Sequence, residues 1–367
     1  MIVTFPHFAQ TWVALKALFD KHNIPCIVPP KSSKRSLSLG VRYSPEGLCL
    51  PYKMLLGNII EGLEQGADTV IHVGGSGMCR LGYYSKLQEQ ALLDLGYKFK
   101  MVTFDWQDLG IVGLVKTVRR ALDTDKPWLD VAGDVKFGLQ QLILMDDLER
   151  KVHYVRPRES DKGAASRIWR TAGDRVSAAH SPEALRRVKE DLFGELDAIP
   201  QDSNAEPLKV GFVGEFFLAV DQFGNMDLEE VLGKMGVEIV RSAYLMEWAK
   251  VWLFLEFVGM SHGQKMRAAA KGYLNRDVSG DAISTVGETI LHQKDGFDGI
   301  VHIQPFTCLP EIVAQNILPK VTKDYEIPIM TLIMDEQMGK AGIQTRLEAF
   351  VDLMWRRRRA GRAAVQH

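Results

Sequence analysis

Three of the four cysteines lie where the sequence predicts loops between strands and helices. Cys49 precedes a helix predicted to begin near Pro51, whereas Cys79 and Cys308 each follow an apolar strand. The unpaired N–H groups and positive dipole end of a helix amino terminus stabilise a thiolate, which is the form of cysteine that binds metal. Thiolate ligands suit zinc, with a histidine to complete the site, and they also suit iron–sulfur clusters.

Separate core or surface thiols are the alternative to a single metal site. Cys26 lies within an apolar strand, where a free cysteine behaves as a small hydrophobic residue, so we leave it out of the site. His72 and His302 also lie within apolar strands, and core histidines with satisfied hydrogen bonds are the simpler interpretation of both. The other three cysteines share a position at strand ends, where doubly wound sheets bind ligands, and this favours one metal site.

Composition narrows the class of protein. The chain has 367 residues, of which 46% are apolar, and 45 Lys and Arg balance 46 Asp and Glu to a formal net charge of −1. This length is enough for two domains, each with its own hydrophobic core. The net charge is too close to zero to produce a positive electrostatic potential over the whole protein that would attract nucleic acid. The longest apolar run, residues 251–260, is too short to span a bilayer and predicts a buried helix. The amino terminus lacks the pattern of a secretory signal, so we expect a cytoplasmic protein with reduced cysteines and no membrane association.

Short apolar strands alternate with amphipathic helices in both halves of the chain. The strands are predicted at residues 2–5, 25–28, 69–73, 99–104, 209–214, 237–240, 299–303 and 329–333. This alternation indicates an α/β fold with parallel, doubly wound sheets, and its restart near Leu208 indicates two similar lobes. We expect two Rossmann-like lobes, at residues 1–125 and 207–367, with a helical insert at residues 126–206 and the metal site in the cleft between the lobes.

Two further groups of polar residues are candidates for the site. Gly74, Gly75, Ser76 and Gly77 form a glycine-rich loop that could admit a bulky cofactor, and Arg80 could balance the charge of an anionic cluster or a phosphate. The loop does not have the spacing of a dinucleotide-binding or P-loop motif.

Three carboxylates follow predicted strands of the second lobe. Glu215 follows its first strand, and Asp335 and Glu336 follow its last. These groups could act as a general acid or base, and the alternative is that they cap the helices in these loops.

Several separated segments of the chain form a recognisable set. Four of them are PEGLCLPYK (45–53), GGSGMCRLGYY (74–84), VGE (213–215) and QPFTCLP (304–310), and two more are MDEQ (334–337) and GIQTRLEAF (342–350). The first four resemble the 2-hydroxyacyl-CoA dehydratase superfamily, in particular its activase-related branch, the CoA-protein activases, and the last two are also typical of that branch. They occur in the order typical of the family and are spread over most of the chain.

The resemblance implies a 4Fe-4S cluster bound by Cys49, Cys79 and Cys308. It also implies a partner, an ATP-hydrolysing iron–sulfur activator that reduces this cluster, and an acyl-CoA substrate for reductive radical chemistry of the dehydratase or ATP-coupled reductase type. A non-catalytic iron–sulfur electron carrier for such a system is the alternative function. A homodimer is one possible assembly, and four cysteines are too few for the double-cubane cluster of some relatives.

Overall fold

The computed structural model describes residues 1–75, 79–105, 111–242, 244–246 and 262–365. The apolar segment 251–260, predicted as a buried helix, lies outside the described residues, as do Ser76 and Gly77. Among the helices in the described part of the chain, none is long and apolar enough to cross a membrane.

Eight strands form at the predicted positions. They are β1 (Val3–Thr4), β2 (Cys26–Ile27), β3 (Thr69–Gly74), β4 (Lys100–Asp105), β5 (Leu208–Gly214), β6 (Val237–Arg241), β7 (Gly299–Pro305) and β8 (Ile329–Met334). Their β-branched, apolar sequences suit strands that are buried on both faces of a parallel sheet. All seven residues of β7 are buried.

Helices connect these strands. In the first part of the chain they are α1 (Thr11–Lys21), α2 (Lys34–Arg42), α3 (Leu50–Glu64), α4 (Tyr84–Asp94), α5 (Ile111–Ala121), α6 (Trp128–Val155), α7 (Ala164–Ser177) and α8 (Pro182–Asp197). They continue as α9 (Phe216–Val220), α10 (Leu228–Lys234), α11 (His262–Ala270), α12 (Ala282–Lys294), α13 (Leu309–Tyr325) and α14 (Lys340–Val365). A short 3-10 helix, Arg80–Tyr83, precedes α4.

The chain divides into two compact units, which we describe separately. Unit 1 contains residues 1–147, 171–191 and 244–261, and unit 2 contains residues 148–170, 192–243 and 262–367. The prediction of an α/β fold with parallel sheets is confirmed, since the described residues of each unit form a four-stranded sheet with parallel pairing throughout.

The two sheets share one strand order. It is β2-β1-β3-β4 in unit 1 and β6-β5-β7-β8 in unit 2. In each sheet the chain moves outward from the first strand and then crosses to its other side. The connections from the first and third strands therefore diverge at the carboxyl edge, which is the usual ligand position in open parallel sheets.

Two helices begin at Cys-Leu-Pro sequences, and in both the cysteine is the N-cap residue. Cys49 is the N-cap of α3 and Cys308 is the N-cap of α13, and each is followed by proline in the first helical turn. Proline is favoured there because the first helical N–H groups have no partner within the helix. Residues 50–63 of α3 are all buried. The cysteine positions are thus set by helices anchored in or beside the core.

Candidate metal centre and neighbouring carboxyl groups

Within unit 1, the segments that carry Cys49 and Cys79 are joined by hydrogen bonds. The Nη1 group of Arg80 donates to the carbonyl oxygen of Gly47 at 2.7 Å. The hydroxyl oxygen of Tyr84 lies 2.6 Å from Sγ of Cys49. Arg80 and Tyr84 follow Cys79 closely, whereas Gly47 immediately precedes the Cys49 turn. The fold therefore brings two cysteine segments together that are distant in sequence.

Both of these cysteines stand at a helix amino terminus. Cys49 is the N-cap of α3 and is 7% exposed, and Cys79 is the N-cap of the 3-10 helix and is half-buried. Thiolates, the form that an iron–sulfur cluster requires, are in general favoured at helix amino termini. Unit 1 thus presents two thiols, with an arginine and a phenol beside them, and thiolates are the ligands that soft metals and iron–sulfur clusters take. Among the residues that the structure describes, no cysteine belongs to a group of three or more potential ligand residues close enough to share a metal ion.

Cys26 differs from these cysteines in its position in the fold. It lies in β2, and burial, the main cause, raises the pKa of its thiol to about 12. The thiol of Cys26 is therefore protonated at neutral pH and is a poor metal ligand. This supports leaving Cys26 out of the candidate site.

The glycine-rich loop has a packing role at its first residue. Gly74 ends β3, and a Cβ atom there would lie 2.5 Å from Cγ2 of Thr103 and 2.7 Å from Oγ of Ser85. The amide of the next residue, Gly75, donates to the carbonyl oxygen of Gly82 at 3.1 Å. The hydrogen bond of Gly75 places the 3-10 helix that follows Cys79 next to the end of β3.

In unit 2, Cys308 lies at the carboxyl edge of the sheet, directly after β7. It is half-buried and is the N-cap of the 17-residue helix α13. Thr307 before it has a φ of +68°, which is rare for a β-branched residue. Phe306 and Leu309 on either side are each 61% exposed. Cys308 thus stands beside an apolar surface at the edge where parallel sheets bind ligands.

Glu215 lies at the same edge, after the neighbouring strand β5. It is the N-cap of α9, and its carboxylate accepts hydrogen bonds from the backbone N–H groups of Phe217 (3.1 Å) and Leu218 (2.9 Å). Gly214 before it has a φ of +128°, and a Cβ atom there would lie 1.9 Å from the carbonyl oxygen of Ile303. Only glycine allows this turn. The capping role that the sequence offered for Glu215 is present in the structure.

Asp281, the N-cap of α12, is a second carboxyl group at this edge. Its Oδ2 accepts a hydrogen bond from the N–H of Phe216 at 3.1 Å, so Asp281 and Glu215 both bind the start of α9. Burial, followed by repulsion from Glu311, raises the pKa of Asp281 to about 7. Burial likewise raises the pKa of Glu215 to about 8, with Asp281 and Glu311 adding to the shift. Glu215 is therefore largely protonated at neutral pH.

A third carboxyl group, that of Glu311, lies in the first turn of α13. It is fully buried, and its carboxylate lies 2.8 Å from Nε2 of His302 and accepts hydrogen bonds from the Thr285 hydroxyl at 3.0 and 3.2 Å. The other ring nitrogen of His302 lies 3.1 Å from the hydroxyl oxygen of Thr331. His302 is thus a core histidine with hydrogen-bond partners, as the simpler interpretation predicted.

His72 of unit 1 occupies the corresponding position in β3. Its Nε2 lies 2.7 Å from Oε1 of Gln88, and the amide nitrogen of Gln88 donates to the carbonyl oxygen of Tyr52 at 3.0 Å. Burial, the main cause, lowers the pKa of His72. This histidine too is a structural residue and not a free metal ligand.

Asp335 and Glu336 lie in the loop after β8, next to β7 in the same sheet. Both are half-buried, and Oδ1 of Asp335 accepts a hydrogen bond from the N–H of Gln337 at 2.8 Å. Asp335 therefore stabilises its own loop. Of the three predicted carboxylates, Glu215 has the environment expected of a general acid or base.

The pH dependence of stability tests the Glu215–Asp281 pair. Both folded-state pKa values, about 8 and about 7, lie above the ordinary values of 4.5 and 3.8. Between the ordinary and the folded-state pKa values, the folded protein therefore binds more protons than the unfolded chain. The stabilisation by these two groups is greatest at pH values below their ordinary pKa values, and it is lost as the pH rises through their folded-state pKa values. We expect Asp281→Asn to reduce this loss, measured as the melting temperature across this pH range. Asp335→Asn is the control, and an equal slope in the wild type and Asp281→Asn would contradict the pairing.

A separate buried network in unit 2 was not predicted from the sequence. Ligand atoms of Glu149, His153 and Glu229 lie within 4.8 Å of one another, close enough for a metal ion. However, Arg241 forms ion pairs with both carboxylates, with Nη1 at 3.2 Å from Oε1 of Glu229. A metal ion would have to displace this guanidinium, which stays charged in proteins. We therefore interpret the cluster as an ion network that stabilises the fold.

Comparisons with protein-family models and with curated proteins found no match to the chain.

Proposed function

We propose that Cys49, Cys79 and Cys308 bind a 4Fe-4S cluster and that the protein uses it for reductive radical chemistry on an acyl-CoA. The electrons would come from an ATP-hydrolysing iron–sulfur activator. The observation that carries the proposal is the convergence of the Cys49 and Cys79 segments through Arg80 and Tyr84. A cluster with three protein thiolates keeps one iron open to a substrate and supplies single electrons at low potential.

The repeated architecture supports including Cys308. Cys79 and Cys308 both follow the third strand of a sheet with the same strand order, a property of Rossmann-like doubly wound lobes. Both are half-buried N-caps. We propose that Cys308 of unit 2 is the third ligand of the same cluster.

Glu215 is our candidate for the proton-transferring group. Loss of a hydroxyl group as water requires a proton on the leaving oxygen, and a carboxylic acid that stays protonated near neutral pH can supply it. Glu215 is half-buried, has a raised pKa and lies at the same sheet edge as Cys308. Asp281 helps to keep Glu215 protonated through charge repulsion.

An electron-carrier function is favoured by a different observation. Phe306 and Leu309 flank Cys308 and are largely exposed. Large exposed apolar side chains beside a redox group suit contact with another protein. In this second proposal, the cluster would pass electrons from the activator to a separate enzyme.

Iron content tests the cluster. After anaerobic purification and reconstitution, we expect iron and sulfide in the wild type together with the EPR signal of a reduced 4Fe-4S cluster. Cys49→Ala, Cys79→Ala and Cys308→Ala should each lose most of the iron because each removes a ligand, whereas the control Cys26→Ala should keep it. A stoichiometric zinc ion without iron in the wild type would contradict the proposal.

The two proposed functions differ in their response to substrate. If the protein is an enzyme, a suitable acyl-CoA should change the EPR signal of the reduced cluster, because the substrate reaches the open iron. If the protein is a carrier, no acyl-CoA should change the signal, and rapid electron transfer to a partner protein should be measurable.

A further inference from the structure

The hydroxyl group of Tyr84 contacts the sulfur of Cys49. The distance from the phenol oxygen to Sγ is 2.6 Å, and both residues are buried, with exposed fractions of 3% and 7%. This contact links the start of α4 to the N-cap of α3.

The position of Tyr84 is fixed by packing around its ring. The ring of Tyr52 lies 5.2 Å from the ring of Tyr84 at an interplanar angle of 82°, which is a favourable edge-to-face contact. Tyr52 belongs to the same first turn of α3 that Cys49 caps, and its carbonyl oxygen accepts a hydrogen bond from Gln88 of α4. The two helices therefore hold the phenol in place against the sulfur.

A cysteine that binds a cluster is a thiolate and has no proton to donate. In that state the hydrogen bond has one direction, from the Tyr84 hydroxyl to the Cys49 sulfur. A hydrogen bond to a charged acceptor is stronger than a neutral one, and its strength rises further as negative charge accumulates on the sulfur. Hydrogen bonds to cluster sulfurs are one of the factors that set reduction potentials.

We propose that Tyr84 is a positioning residue that donates a hydrogen bond to the Cys49 thiolate and raises the reduction potential of the cluster bound there. This inference rests on the proposed function, since it assumes that Cys49 binds a cluster. The phenol stabilises the reduced cluster more than the oxidised one because the reduced cluster carries one more negative charge. Tyr84 also orients the sulfur before the cluster binds.

The reduction potential of the reconstituted protein tests this proposal. Tyr84→Phe keeps the ring and removes only the hydroxyl, so we expect normal iron content and a shift of the potential to a more negative value. Tyr83→Phe is the matched control because Tyr83 is the preceding residue and is 59% exposed. It should leave the potential unchanged.

A second measurement does not need the cluster. In the cluster-free protein, the S–H stretching band of Cys49 in Raman spectra, identified by its loss in Cys49→Ala, should shift in Tyr84→Phe and not in Tyr83→Phe. An unchanged potential in Tyr84→Phe at wild-type iron content would overturn the role of Tyr84 alone. If the wild type fails to bind iron, the proposed function and the proposed effect of Tyr84 on the reduction potential are both overturned, whatever the Raman band shows.

Discussion

Replacing Arg241 with methionine is expected to lower the free energy of unfolding by about 3–5 kcal/mol, the usual effect of breaking a buried ion pair. The Arg241 side chain is 1% exposed, and it pairs with Glu149 and Glu229. It also donates to the carbonyl oxygen of Ala219 at 3.0 Å. Methionine fills much of the same space but leaves two buried carboxylates with less compensating charge.

Urea unfolding measures this change, and Arg170→Met is its matched control. Nη2 of Arg170 lies 3.0 Å from both carboxylate oxygens of Glu230, but its side chain is 57% exposed. An exposed pair of this kind contributes about 0–1 kcal/mol. Equal losses in Arg241→Met and Arg170→Met would show that the buried network does not stabilise unit 2.

Acid stability gives the same network a second test. Burial tends to raise the pKa of Glu229, but Arg241, His153 and Arg156 together lower it to about 2. Because its pKa is lowered in the folded state, ionised Glu229 stabilises the folded protein at pH values above its ordinary pKa of 4.5. This stabilisation is lost as the pH falls towards about 2. Arg241→Met removes the charge that lowers the pKa of Glu229 most. The free energy of unfolding of this variant should therefore depend less on pH over this acid range than that of the wild type.

The sequence predicted the parts of the molecule that depend on local pattern. All eight strands occur at the predicted positions, because short β-branched runs between turn residues have few alternatives in an α/β protein. The helix starts at Cys49 and Cys308 were also predictable, since proline in the first turn marks them. Local chemistry therefore placed the three candidate cysteines at helix amino termini.

The carboxyl groups around Glu215 were predicted only in part, because tertiary packing brings them together. Asp281 precedes an ordinary helix in the sequence, and its contact with the N–H of Phe216 depends on the position of α12 beside β5. Glu311 resembles any acidic residue in a first helical turn, although it is fully buried against His302. The sequence did contain one indication that Glu311 belongs near the candidate site, because this residue directly follows the second Cys-Leu-Pro sequence.

The two sheets have the same strand order, so the residue of unit 2 that corresponds to Cys49 can be identified. In unit 1, Cys49 caps the helix that leads into the third strand, and in unit 2 this position belongs to Asp281. Cys79 and Cys308 share the position after the third strand. One architecture thus presents two sulfurs at the edge of unit 1, and one sulfur with a carboxyl group at the edge of unit 2.

Glu311→Leu is expected to lower the free energy of unfolding by about 3–5 kcal/mol, because it leaves buried donors without their charged acceptor. His302 and the Thr285 hydroxyl both contact the Glu311 carboxylate, and His302 and Glu311 are fully buried. Glu311→Gln should cost much less, since its amide oxygen still accepts one of these hydrogen bonds. Glu348→Leu, at an exposed position of α14, is the matched control and should change stability by about 0.5 kcal/mol or less.

The same pair of variants connects this buried group to the candidate site. Glu311 lies in the first turn of the helix that Cys308 caps, so losing its contacts should loosen Cys308, and Glu311→Leu should bind less iron than Glu311→Gln. The Glu311 charge also raises the pKa values of Glu215 and Asp281, so Glu311→Gln should lower both and reduce the loss of stability with rising pH. Wild-type iron content and an unchanged pH profile in both variants would show that Glu311 acts on neither the cysteine nor the carboxyl pair.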